Sequence, residues 1–162
     1  MGELIKAVKD KQYDQVKELL ERGADPNDRF PPPGHMTALM AASLQGDLEM
    51  MRLLLAKGAD IQLHNDHYRA IHGACIQGHL EAVKLLLQSG ANIEDPAPDK
   101  GGTPLGWAVS MNQLHVIEYL LEQGAKVHPG LLRWAIKMNK DPSVEILKKH
   151  VAKGDGFKAS DH

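Results

Sequence analysis

Apolar residues recur along the chain in groups with i, i+3, i+4 spacing: Val16, Leu19 and Leu20; Met51, Leu54 and Leu55; Val83, Leu86 and Leu87; Ile117, Leu120 and Leu121. That spacing is one face of an α-helix and predicts four equivalent helices. Each ends in a Gly-Ala pair, at Gly23-Ala24, Gly58-Ala59, Gly90-Ala91 and Gly124-Ala125, 32 to 35 residues apart. A glycine in that place is the left-handed residue that terminates a helix. Gly154 is a weaker fifth echo. Upstream of each Leu-rich segment a shorter Ala-containing helix is predicted: Leu4 to Asp10, Leu39 to Gln45, Ile71 to Gln77, Leu105 to Met111 and Leu132 to Met138. The small side chains of Ala7, Ala42, Ala74, Ala108 and Ala135 let neighbouring helices approach closely. Gly46-Asp47-Leu48, Gly78-His79-Leu80 and the variant Asn112-Gln113-Leu114 join the two helices, where a residue tolerant of positive φ must reverse the chain.

A fixed period of this length marks a solenoid of repeated helical pairs. The elements Thr103-Pro104-Leu105, Ile71-His72-Gly73-Ala74, Gly78-His79-Leu80-Glu81 and the Gly-Ala-Asp or Gly-Ala-Asn endings resemble the ankyrin-repeat family over nearly the whole chain. The resemblance implies an all-α solenoid of about five stacked helix-turn-helix units with hairpin or loop fingers and polar capping repeats. The repeats are expected at about 1–27, 28–62, 63–94, 95–128 and 129–154, one domain over 1–154, with 155–162 a flexible tail. The first unit departs from the pattern with Lys11 and Gln12 at its turn and no Thr-Pro, as a water-facing cap would. The last opens on Asp141-Pro142-Ser143 and continues through Lys148, Lys149 and His150, a C-terminal cap. Pro31-Pro32-Pro33-Gly34 predicts a stiff protruding finger between units one and two, and Asp95 to Lys100 a second one between units three and four.

The resemblance further implies that partners bind in a concave groove lined by hairpin tips and first helices. Carried onto this chain, the tip candidates are Arg29, Phe30, Pro33, Gly34 and Met36; Asn65, Asp66 and Tyr68; and Asp99, Lys100 and Gly102. The first-helix candidates are Lys9 and Asp10, Leu44 and Gln45, Ile76 and Gln77, Ser110 and Met111, and Lys137 and Met138. Leu44, Ile76, Met111 and Met138 are apolar where water is expected, so they form a candidate interface, or else, one residue out of register, part of the core. Trp107 and Trp134 occupy equivalent places and are either interface anchors or stacking residues between repeats.

Composition narrows the function. A formal charge of −2, from 19 basic and 21 acidic residues, supplies no field that would draw the chain onto nucleic acid or an anionic membrane. At 43% hydrophobic but only 4% aromatic, the core must be filled by Leu, Ala, Val, Ile and Met. There is no run of about 18 apolar residues, so no membrane span is expected. The N-terminus lacks a signal-peptide pattern, and with Cys75 as the only cysteine a cytoplasmic location is expected, unless a signal peptide has been trimmed. Nine histidines invite a zinc reading at His64 and His67 or at His72, Cys75 and His79. The repeat explains His72 and His79 better, as framework residues that bond the backbone between hairpin and helix. No nucleophile, base and orienting group recur together, and no glycine-rich phosphate loop follows a strand. No enzyme activity, cofactor or metal is therefore expected. The expected function is that of a monomeric, non-catalytic module binding another protein. The alternatives are an inhibitor or self-protection protein that blocks an enzyme with its proline finger, and a structural scaffold subunit docking end to end.

Overall fold

A computed structural model describes residues 2–29, 35–98 and 101–154. Among these, ten helices follow one another in five pairs: α1 (Glu3–Lys9) with α2 (Tyr13–Glu21), α3 (Ala38–Gln45) with α4 (Leu48–Ala56), α5 (Ala70–Gln77) with α6 (Leu80–Gln88), α7 (Pro104–Ser110) with α8 (Leu114–Glu122), and α9 (Pro129–Lys137) with α10 (Asp141–Ala152). The first helices pack side by side in the order α1, α3, α5, α7, α9, and α4, α6, α8 and α10 form a parallel second row. The architecture is the all-helical solenoid that the period implies. Among the described residues the hairpins contribute a single β-bridge, His64 with Arg69. The expected proline finger and the second fingertip, with Phe30, Pro33, Gly34, Asp99 and Lys100, lie outside the described residues, as does the expected tail.

Five identical turns hold each pair together. Lys11, Gly46, Gly78, Asn112 and Asn139 all carry positive φ, between 51° and 75°. The next residue in each turn donates its N–H to the carbonyl of a buried alanine five residues back: Gln12 to Ala7, Asp47 to Ala42, His79 to Ala74, Gln113 to Ala108 and Lys140 to Ala135, at 2.9–3.1 Å. These alanines are at most 1% exposed because the turn folds directly over them. Side chains larger than a methyl would hold the two helices apart. The second helices close as their Gly-Ala endings require. Ala24, Ala59, Ala91 and Ala125 each donate to a leucine carbonyl, from Leu19, Leu54, Leu86 and Leu120, all at 2.9 Å. Beyond them Asp25, Asp60 and Asn92 accept, through Oδ1, the N–H two residues on, which bends the chain into the hairpin.

First-helix starts use ordinary capping chemistry. Thr37 and Thr103 each accept the backbone N–H three residues on, from Met40 and Gly106, and Pro104 and Pro129 take the first helical turn. The core is one continuous strip of aliphatic side chains, with Met51, Leu54, Val83, Leu86, Ile117, Leu120 and Leu147 wholly buried along the second helices.

Candidate partner-binding face

Neighbouring units are joined by side chains that reach back across the turn. His79, which opens α6, donates its Nε2–H to the Leu44 carbonyl at the end of α3, 3.0 Å away. Gln113, which opens α8, donates to the Ile76 carbonyl at the end of α5 at 2.8 Å. In the first junction Gln45 donates to the Lys9 carbonyl at 2.8 Å, and the Tyr13 hydroxyl donates to Asp47 Oδ2 at 2.6 Å. That bond to a carboxylate pushes the Tyr13 phenol up to about 12, since loss of its proton would set two negative charges side by side. The bonds from Gln45, His79 and Gln113 each satisfy a carbonyl that a helix C-terminus leaves free. In the last junction the equivalent residue is Lys140, and the link is made instead by Ser143 Oγ to Asn112 Oδ1 at 2.7 Å.

His72 and His79 are absorbed by this framework. His72 is fully buried; its Nδ1 accepts the Arg69 N–H at 3.1 Å and its Nε2 donates to the Asp95 carbonyl at 2.8 Å. Both bonds together require the neutral ring with its proton on Nε2. Arg69 completes the junction, donating to Asp95 Oδ1, Pro96 O and Gln62 O. His79 serves a different carbonyl from the one expected, at the end of the preceding first helix instead of between hairpin and helix. Among the described residues no three His, Cys, Asp or Glu side chains are grouped to hold a metal ion. Cys75 is buried, and burial pushes its thiol well above the usual range.

Aligning the first helices on their buried alanines sorts the candidate residues into columns. Leu44 and Ile76 share a column with Lys9, Ser110 and Lys137; Met111 and Met138 share the next one with Asp10, Gln45 and Gln77. The four apolar candidates are thus not one stripe. The exposure expected for Leu44 and Ile76 is absent: both are half-buried. A Cβ built on Gly73 would lie 3.2 Å from the Leu44 side chain and 3.6 Å from the Tyr68 ring, so both side chains lie over that glycine. Tyr68 is half-buried there, which raises the pKa of its hydroxyl. Asn65, expected at an open tip, is buried: its Oδ1 accepts the N–H groups of His67 and Tyr68 at 2.8 and 2.7 Å and shapes the loop. Met36 is half-buried against the core, whereas Arg29, Asp66 and Gln77 are exposed. Gln45 is half-buried by its bond to Lys9.

The large exposed hydrophobic side chains of the described residues all fall in the last two units: Met111 at 53%, Trp134 at 38%, Ile136 at 49% and Met138 at 51%. Trp107 is instead half-buried and packed on the core, with its indole edge against Gly102. Ile136 was not a candidate. It shares a column with Val8, Ser43, Cys75 and Val109, all fully buried under the following unit, and no following unit covers it among the described residues. The same alanine alignment of the sequence could have found it.

A stack of helix pairs with repeated turns and clasps defines a repeat solenoid, a class whose working surface is made from equivalent positions on successive units. The chain belongs to the ankyrin-repeat family: residues 4–97 match the family model described as ankyrin repeats in three copies, and residues 100–129 match that of a single ankyrin repeat. No curated protein matches the chain. Ankyrin repeats are generally protein–protein interaction modules and typically non-catalytic. Among the described residues no helix is long and apolar enough to cross a membrane.

Proposed function

We propose that this chain is a monomeric, non-catalytic module that binds a protein partner through the C-terminal half of its concave face, with Met111, Trp134 and Met138 as anchors. One observation carries the reading: four large hydrophobic side chains, each more than a third exposed, are confined to the first-helix ends of the last two units. Burying side chains of this size contributes about 1.5–3 kcal/mol apiece, and nothing else in the described surface offers comparable anchors. The double variant Trp134→Ala, Met138→Ala should retain the melting temperature of the parent and lose the partner retained from native lysate. Equal retention by both chains sinks this placement of the site.

The end-to-end scaffold reading has Ile136 in its favour, since its stacking position is uncovered among the described residues. Against it, Arg133 and Lys137 flank Ile136 on the same helix, so pairing two such ends would bring like charges together. A concentration-independent monomer in sedimentation velocity supports the module; a reversible dimer lost in Ile136→Glu supports the scaffold.

A further inference from the structure

With about 100° between successive residues, the exposed arc of α9 runs in the order Met138, Trp134, Lys137, Arg133, Ile136, and Ala135 is its one buried residue. The arc is an apolar strip, a basic strip and a second apolar position, side by side. Arg133 and Lys137 are exposed and have no ion-pair partner among the described residues. The adjoining helix α7 carries no ionisable residue, so it supplies no neutralising carboxylate. On the opposite side of the unit the situation is reversed. There Lys149 and His150 of α10, with Lys153 just beyond it, share a cleft with Glu118 and Glu122 of α8, which offsets their charge. The imbalance extends to the whole unit: residues 129–154 hold six Lys and Arg against only Asp141 and Glu145, a formal +4, whereas residues 1–128 hold twelve against seventeen, a formal −5, and residues 155–162 add one Lys against two Asp. The near-neutral total hides a basic end.

We infer that the segment bound at α9 is acidic as well as apolar: a stretch of a partner protein whose carboxylates lie between apolar side chains. The inference rests on the proposed placement of the site at α9. Apolar side chains would meet Trp134 and Met138 on one flank and Ile136 on the other, with Asp or Glu against Lys137 and Arg133 between them. Apolar contact supplies affinity, and the two cations select against neutral and basic segments that would leave them unpaired.

The test is selection of random 16-residue peptides displayed on phage against the full chain, repeated on Arg133→Glu, Lys137→Glu and on Trp134→Ala, Met138→Ala, each shown to melt with the parent. The expected peptides combine at least two Asp or Glu with aromatic or aliphatic residues on either side. They should bind the charge-reversed chain at least about tenfold more weakly, with an affinity that falls as salt is raised. Peptides that need Trp134 and Met138 but carry no acidic excess, or bind the charge-reversed chain equally well, overturn the acidic partner and leave the placement of the site standing. No enrichment, or peptides indifferent to Trp134 and Met138, overturns both.

Discussion

Between α5 and α6 the chain reverses through Gly78; between α9 and α10 it reverses through Asn139, with φ of the same sign and the same hydrogen bond to a buried alanine. The backbones agree, and the surroundings do not. Behind Gly78 the Gln113 side chain fills the space a Cβ would need and ties the end of α5 to the next unit. Behind Asn139 no later unit among the described residues reaches back. The contrast repeats one turn earlier, where Val109 is fully buried and the equivalent Ile136 is half open. In a solenoid, burial is therefore set by the neighbouring unit as much as by the residue itself. The column that is core in the middle of the stack is uncovered in the last unit among the described residues.

The largest effect that can break this comparison comes from the core. Leu86 and Leu147 are equivalent and both fully buried, but Leu86 has a second helix packed on either side and Leu147 on one. Leu86→Ala should cost about 2–5 kcal/mol, and the loss should appear as one cooperative transition. Leu147→Ala should fall at the low end of the same range, about 2 kcal/mol, and should separate the last unit from the rest. In urea, the fluorescence of Leu147→Ala in a Trp107→Phe background, where Trp134 is the one tryptophan left, should then change before the far-ultraviolet circular dichroism does. Superimposable transitions in that variant would mean that the last unit is bound as firmly as the middle ones.

A smaller effect with opposite signs is expected at the turns. Gly78→Ala places a Cβ in a left-handed residue and against Gln113, and costs roughly 2–4 kcal/mol from the backbone penalty and the disturbed clasp together. Asn139→Gly relieves the same backbone conformation where nothing crowds it and should raise stability by less than about 1 kcal/mol. Thermal melts of the two variants decide the matter. If Asn139→Gly melts lower than its parent, the asparagine side chain contributes something that the backbone argument omits.

Much of this was legible in the sequence because the repeat states its own register. The Gly-Ala endings, the buried alanines and the turn glycines mark helix ends through backbone requirements that no other residue meets as well. The positive φ of Asn139 was not read from the sequence, although alignment with Asn112 could have shown it. The surface was read less well for a geometric reason. Neighbouring residues on a helix point about 100° apart, so moving from Ile76 to Gln77, or from Ser110 to Met111, exchanges a half-buried side chain for an exposed one. The internal duties of Asn65, and the Tyr68 ring laid over Gly73, depend on loop closure and on a missing Cβ, which periodicity does not report. Ile136 was overlooked because its pattern is that of a core residue, and only the end of the stack makes it a surface one.

The smallest expected effect sharpens that last point. Val109→Ala should destabilise the chain by about 1–3 kcal/mol, since the side chain is sealed between α7 and α9. Ile136→Ala, in the same column, should change stability by no more than about 0.5 kcal/mol, because a half-open side chain surrenders little contact. Thiol labelling tests the same difference without relying on small energies. Cys75 occupies this column in the third unit, buried and with its thiol held in the protonated form. In an Ile136→Cys chain, which then carries two thiols, one should react at the rate of an exposed thiol and the other only as the protein opens. Two equally slow thiols would mean that something already covers the end of the solenoid, in which case Ile136 would have to leave the proposed binding arc while Trp134 and Met138 kept their place in it.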